Sequence, residues 1–168
     1  LWQPRDKETI ETSSPQLRDQ RFISSKVRFL ISQLEQILDE GHQVLVFSQF
    51  TSYLDLIQSE IEHHHWSISR IDGSYSVPKR QKQIESFQNG DNKIFLISLK
   101  AGGVGLNLTA ANYVFIMDPW WNPAVEQQAI DRVHRMGQTH PVTVFKCLVS
   151  STIEERMIVY QEHKRELI

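Results

Sequence analysis

Four runs in this sequence, "QVLVFSQF", "KIFLISL", "YVFIMD" and "VTVFKCLV", are apolar at almost every position. A strand with one wet face alternates apolar and polar side chains, because successive side chains point to opposite faces of the sheet. Unbroken apolar strands need cover on both faces. Segments of helical spacing lie between them. "KVRFLISQLEQILDEG" puts Val27, Leu30, Ile31, Leu34, Ile37 and Leu38 on one face, and Gly41 stands where that helix would end. Thr51 is positioned to cap the next helix, "SYLDLIQSEIEHHH". "SISRI" reads as a short strand ending at the turn "DGS". "VPKRQKQIESFQNG" reads as a helix with Pro78 in its first turn, where the missing amide does no harm. "PAVEQQAIDRVHRMG" is a further helix, and "STIEERMIVYQEHKRELI" is expected to be the last, opened by a capping box of Thr152 and Glu155. Strands alternating with helices in this way predict an α/β fold, a parallel sheet with helices on both faces.

The pattern starts at Ser25. Residues 1–24 are polar and mixed, with Pro4, Pro15 and a "TSS" run, and are expected to form a linker or a packed arm. Residues 25–168 are expected to form the domain, and a chain of 168 residues suits a single sizeable core. Because it begins at Leu1, the chain is expected to be a fragment of a longer protein. The net charge of −2 gives no global signal for nucleic acid, although a local basic patch is enough for binding. The single cysteine, Cys147, excludes a disulfide framework or a cysteine zinc site within the chain and fits a reducing, intracellular compartment. It alternates with Phe145 on an apolar strand and reads as core. No apolar run approaches the roughly 18 residues of a membrane span, and no signal peptide opens the chain, so no membrane partner is expected.

Ligands of parallel sheets sit at the carboxyl ends of the strands. The turns "SQFTS", "DGSYS", "LKAGGVG" and "DPWWNP" all fall at that edge. The glycines do not complete a dinucleotide fingerprint, because Leu108 stands where the third glycine is needed. No Gly-Lys pair exists, so the chain has no phosphate loop of the usual kind. "LKAGGVGLN" still asks for backbone positions that side chains would obstruct. Its amides and Lys100 can hold a phosphate, or it can be a tight connection between strands, and the motif alone does not choose. In the helix after "DPWWNP", Gln128, Arg132 and Arg135 share a polar stripe beside an apolar stripe of Val125, Ala129, Val133 and Met136. Arginine is always charged and meets phosphate through two parallel bonds. Spacing alone nonetheless favours a surface helix with salt bridges to Glu126 or Asp131. "LDEGH" ends an amphipathic helix, so Asp39 and Glu40 read as a solvated helix end and not as a metal box. His63, His64 and His65 point in different directions and read as solvated, so no metal site is assigned.

Taken in order, "VLVFSQFTSYLDLI", "RIDGSYSVPKRQKQIESF", "LISLKAGGVGLNLTAANYVFIMDPWWNPAVEQQAIDRVHRMGQTHPV" and "TIEERM" resemble the carboxyl-terminal helicase lobe of Swi/Snf-type ATPases, a branch of superfamily-two helicases. The resemblance runs from about residue 25 to the end, and its most specific segments are "LKAGGVGLNL" and "DRVHRMGQ". "DPWWNP" and "KRELI" look closest to DNA-repair translocases, some of which carry a ubiquitin-ligase ring finger. A ring finger needs several cysteines and is not in this chain.

The resemblance implies a RecA-like lobe of the phosphate-loop ATPase type. ATP and Mg2+ would be bound mainly by an amino-terminal lobe of the same protein, which carries the phosphate loop. This lobe would close the cleft, with Arg132 and Arg135 as arginine fingers and Gln128, Gly103 and Gly105 beside the nucleotide. Ser48, Gln49, Asp72, Gly73, Ser74 and Lys100 would contact the phosphate backbone of double-stranded DNA, which fixes register but carries no sequence. Trp120 and Trp121 would pack the lobe interface or couple the cleft to the DNA. The implied whole protein is a DNA-dependent ATPase and translocase in DNA repair or chromatin remodelling, acting on DNA and possible nucleosomes. It would be nuclear in a eukaryote and cytoplasmic or nucleoid-associated otherwise. The isolated chain is expected to be inactive on ATP. A lobe of an RNA helicase and a non-catalytic interaction module are the competing readings.

Overall fold

The computed structural model of the chain describes residues 24–98, 106–118, 122–133, 140–150 and 156–164. Residues 1–23, expected to be a linker or arm, lie outside the described residues. The first helix, α1, spans Ser25–Asp39 and is followed by strand β1, Val44–Ser48. Helix α2 (Thr51–His63) leads to β2 (Ile68–Ile71), and α3 (Val77–Gln88) leads to β3 (Ile94–Ser98). Strand β4 (Tyr113–Ile116) precedes α4 (Pro123–Val133), and the last two strands are β5 (Val142–Ser150) and β6 (Arg156–Lys164).

The strands form one sheet in the order β2-β3-β1-β4-β5-β6. Strands β1 to β5 run parallel, in the register Phe47 to Ile97 and Ile116, and Ile71 to Ile97. β1 to β4 therefore end at one edge, at Ser48, Ile71, Ser98 and Ile116. The fold is the expected α/β sheet with helices on both faces, and alternate residues of each strand serve the two sides. Val44 and Val46 of β1, Ile94 and Leu96 of β3 and Phe115 of β4 face a core completed by Val27, Leu30, Leu34 and Ile37 of α1 and Leu54, Ile57 and Ile61 of α2. Leu45, Phe47, Phe95, Ile97, Val114 and Ile116 face the other core, with Phe87 of α3 and Ala129 and Ile130 of α4. Cys147 lies in the first of these cores, as expected, and burial pushes its thiol up to about 11 although Lys26 opposes the shift.

The helix ends differ from the sequence expectation in places. Ser24 caps α1 by accepting a hydrogen bond from the Val27 amide (3.3 Å). Gly41 stands just past α1 at φ +78°, where the amides of Gly41 and His42 bond back to the carbonyls of Leu38 and Ile37. Thr51 does not cap α2: it is the first helical residue, and Phe50 takes the cap position without a side-chain bond.

The largest departure is at the end of the chain. The capping-box residues Thr152 and Glu155 lie outside the described residues, and Arg156–Lys164, expected within the last helix, is a strand antiparallel to β5. Two local preferences compete in "RMIVYQEHK". The flanks suit a helix, while the β-branched and aromatic run Ile158, Val159, Tyr160 suits a strand. The free edge of β5 offers a full ladder of backbone partners, and pairing with it is what a sequence window cannot see.

Candidate functional site

The carboxyl edge of the sheet collects the loops after β1, β2 and β4. The loop after β1 is built around a buried carboxylate. Ser48 is fully buried, and its hydroxyl donates to Asp118 Oδ2 at 2.6 Å. The Gln49 amide donates to the same oxygen at 2.7 Å. Ser48 Oγ in turn accepts from the Phe50 amide at 3.1 Å, and the Phe50 side chain is left 59% exposed at the loop tip. Asp118 itself is only 7% exposed. Next to it, the Met117 carbonyl accepts a hydrogen bond from Lys26 Nζ at 2.9 Å, which ties the end of β4 to α1.

The loop after β2 is built around a second buried carboxylate. Asp72 Oδ1 accepts from the Ser74 amide (2.9 Å) and from the Ser74 hydroxyl. Its Oδ2 accepts from Arg70 Nε (3.1 Å) and pairs with Nη2 (3.0 Å). Arg70 reaches α2 as well, through Asp55 (2.7 Å) and the Gln58 side-chain oxygen (2.8 Å). Burial on its own would raise the pKa of Asp72, but the Ser74 hydroxyl and amide and the Arg70 guanidinium together outweigh it and hold the carboxyl below its ordinary value. Gly73 and Ser74 are the exposed part of this turn. A Cβ at Gly73 would meet nothing within 4 Å, so the tip is open to an approaching ligand. Beyond it, Lys79 Nζ sits 3.7 Å from the centre of the Tyr75 ring.

Strand β3 separates these loops, so they stand roughly 10 Å apart along the same edge. Of the residues the sequence put on a DNA path, Ser48 and Asp72 direct their polar atoms inward and shape the loops. Gln49, Gly73 and Ser74 lie at or near the tips. Lys100, Gly103, Gly105, Trp120 and Trp121 lie outside the described residues.

Helix α4 starts from the same edge, where Asn122 Oδ1 accepts from the Ala124 amide (3.0 Å). Ala129 and Ile130 are buried against the sheet, and Gln128 is exposed. Ala129 is on the expected apolar stripe, and Ile130 extends it. Asp131 accepts from the Gln127 side chain at 2.7 Å. Arg132 lies one turn beyond Gln128 on the same face of α4. The side chain of Arg132, and Arg135 altogether, lie outside the described residues.

Two residues that the sequence did not single out turn out to shape this edge, Asp118 and Arg70. A weak signal existed for each. Arg70 is a charge within the strand "SISRI", two residues before an aspartate, and Asp118 is the first polar residue after an apolar strand. The histidines are solvated as read: His63, His64 and His65 are all exposed, with His64 stacked on Trp66 at 4.8 Å. Among the described residues, no group of three His, Cys, Asp or Glu side chains is placed to hold a metal ion.

Comparison with known proteins gives this geometry a context. Residues 25–137 match the family model described as the helicase conserved C-terminal domain. The chain is 52% identical over 149 residues to the DNA repair protein RAD5 of Cryptococcus neoformans, covering 86% of this chain and 12% of that protein. It is 46% identical over 146 residues to the DNA repair protein RAD5A of Arabidopsis thaliana, covering 86% of this chain and 14% of that protein. The chain thus spans a small part of the relatives it matches. Among solved structures, the C-terminal part of the Fun30 ATPase domain superposes with a TM-score of 0.68 and 41% identity, over 73% of this chain and 40% of that one. The Sulfolobus solfataricus SWI2/SNF2 ATPase C-terminal domain superposes with a TM-score of 0.55 and 39% identity, over 62% of this chain and 46% of that one.

Proposed function

Since the chain belongs to the helicase conserved C-terminal domain family, we propose that it is the second motor lobe of an ATP-dependent translocase on double-stranded DNA, of the kind used in DNA repair. The observation that carries this reading is the placement of α4. It is anchored by Ala129 and Ile130 and starts from the carboxyl edge that also bears the loops after β1 and β2. A rigid helix there can aim Arg132 at a nucleotide, with Arg135 following two residues after its end in the sequence, while the neighbouring loops meet a phosphate backbone. The similarity to RAD5-type DNA repair proteins supports DNA as the track, and a role in DNA repair fits a nuclear location in a eukaryote.

In this reading ATP is held mainly by a partner lobe of the same protein that carries the phosphate loop. Mg2+ belongs with the nucleotide in that lobe. This lobe contributes charge and shape. Arg132 and Arg135 stabilise the negative charge that develops on the transferring phosphoryl group. Gln128 and the glycines Gly103 and Gly105 border the nucleotide. On the DNA side, the Gln49 and Gly73–Ser74 tips and Lys100 touch the backbone, while Ser48 and Asp72 keep those tips in shape. Contacts of this type suit a motor that must pass over any sequence, nucleosomal DNA included.

The test uses the two-lobe protein. Arg135→Ala or Arg132→Ala is expected to lower kcat at saturating DNA by at least about a hundredfold. Affinity for a non-hydrolysable ATP analogue should change by less than about tenfold. Arg135→Lys should fail nearly as badly, because an ammonium lacks the planar fork. Near-normal kcat in both alanine variants would leave the stripe a mere surface and favour an interaction module. Stimulation by single-stranded RNA and not by duplex DNA would favour an RNA-helicase lobe.

A further inference from the structure

Asp118 stands two residues past the end of β4 and is buried. Both of its described hydrogen bonds reach a loop 70 residues earlier in the chain, and both converge on one oxygen, from Ser48 Oγ at 2.6 Å and from the Gln49 amide at 2.7 Å. Withdrawing a carboxylate from water is unfavourable unless such bonds offset it. A loop that only had to close could do so with an apolar contact. Here the carboxylate sets the conformation of three consecutive residues, because Ser48 Oγ passes the constraint on to the Phe50 amide at 3.1 Å. Those three residues form the tip after β1 and lead directly into α2. The Asp118 end of this contact is also held, through Lys26 on the neighbouring Met117 carbonyl.

We propose that Asp118 is a positioning residue that holds the DNA-side loop Ser48–Gln49–Phe50 in one conformation from the end of β4, so that the DNA contact on that loop depends on this carboxylate. The proposal rests on the motor reading and adds a positioning residue to it. The loop cannot shift without pulling on Asp118. Loss of the carboxylate loosens the loop and weakens its contact with DNA.

The experiment uses the two-lobe protein with duplex DNA as the probe. Asp118→Ala is expected to raise the DNA concentration for half-maximal ATPase stimulation by about tenfold or more, since two charge-assisted bonds are lost. It should lower DNA-stimulated turnover more than DNA-free turnover. Asp118→Asn keeps an acceptor oxygen for both donors and should stay within about threefold of wild type. Ser48→Ala should give a smaller shift of the same kind, and adding it to Asp118→Ala should change little further, because the two residues act as a unit. If Asp118→Ala fails to fold, Ser48→Ala carries the same comparison. A folded Asp118→Ala protein with DNA half-saturation within about twofold of wild type would overturn the proposal. So would an equal loss of turnover with and without DNA, the mark of a merely structural residue. Failure of the motor reading has a separate signature, near-normal turnover in the Arg132→Ala and Arg135→Ala variants. In that event the loop constraint is still read from direct duplex binding without nucleotide, which Asp118→Ala should weaken and Asp118→Asn should preserve; unchanged binding in Asp118→Ala would overturn it there too.

Discussion

Asp72 and Asp118 carry the same side chain to the same edge of the sheet and are used in different ways. Asp118 accepts from a hydroxyl and an amide, whereas Asp72 also meets a guanidinium that is itself tied to α2. The bonds around Asp72 give it a pH signature. Burial would raise its pKa, but Ser74 and Arg70 outweigh that and bring it below 3.8. A folded-state pKa below the unfolded one means that the stabilisation is complete above the unfolded value and is lost as the pH falls through the folded value. Asp72→Asn should therefore melt below wild type by a constant margin from roughly pH 5 to 7, and the margin should shrink as the pH falls below about 4. Melting curves of both proteins across that range measure it, and a margin unchanged down to about pH 3 would mean that ionisation of Asp72 contributes nothing. None of this network was legible beforehand except the turn "DGS" itself. The sequence marked Asp72 by its place in a turn, while its partners on β2 and α2 became neighbours only when the strand and helix packed.

Helices α1 and α2 end in the same backbone geometry with different residues. Past α1 stands Gly41 at φ +78°, and past α2 stands His65 at φ +60°. In both, the last amides bond back to carbonyls of the final turn, Gly41 and His42 to Leu38 and Ile37, His65 and Trp66 to Glu62 and Ile61. Left-handed backbone is strained for any residue with a Cβ. At Gly41 that strain is the whole effect of adding one, because a Cβ there would meet nothing within 4 Å. Gly41→Ala should lower stability by about 1–2 kcal/mol. For a chain of this length each kcal/mol corresponds to roughly 2–4 °C in Tm. Thermal denaturation of the variant checks this, and an unchanged Tm would show that the helix end can relax into another geometry. The glycine was legible as a stop signal, whereas the equivalent end at His65 gave no signal, since histidine enters left-handed backbone more readily than most residues but too seldom to mark a helix end. The same limit applies at Arg156–Lys164, where a local pattern that suited a helix met the open edge of β5.

At the scale of the whole lobe, helices pack on both faces of the sheet among the described residues, α1 and α2 on one side and α3 and α4 on the other. At the carboxyl edge the described residues present loop tips, and a few cations stand nearby in the sequence. Lys79 and Lys82 are exposed on α3, and Lys100 lies in the segment after β3. With about three phosphates neutralised, the isolated lobe should bind duplex DNA weakly, with log K falling against log salt at a slope near −2.7. Raising salt from about 50 to 200 mM should then weaken binding roughly fortyfold. Anisotropy titrations of a labelled duplex over a salt series measure the slope. Tight binding that is insensitive to salt would contradict an interface made of backbone contacts. On the proposed reading, in which the nucleotide is held mainly by another lobe, the lobe on its own should show no ATP turnover under the same conditions.

Hydrophobic periodicity is a local property, settled within a few residues along the chain, and it decided the architecture here. Unbroken apolar strands required cover on both faces, alternation with helices required a parallel sheet, and a parallel sheet put "SQF", "DGS" and the start of α4 on one edge. The side chains that give that edge its shape follow no such rule. Ser48 and Asp118 are 70 residues apart, and Arg70 joins Asp55, Gln58 and Asp72 across two elements. Polar groups withdrawn from water are stable only when each finds its particular partner, and that pairing depends on which strands lie side by side and which helix crosses them. Only the assembled tertiary structure decides it.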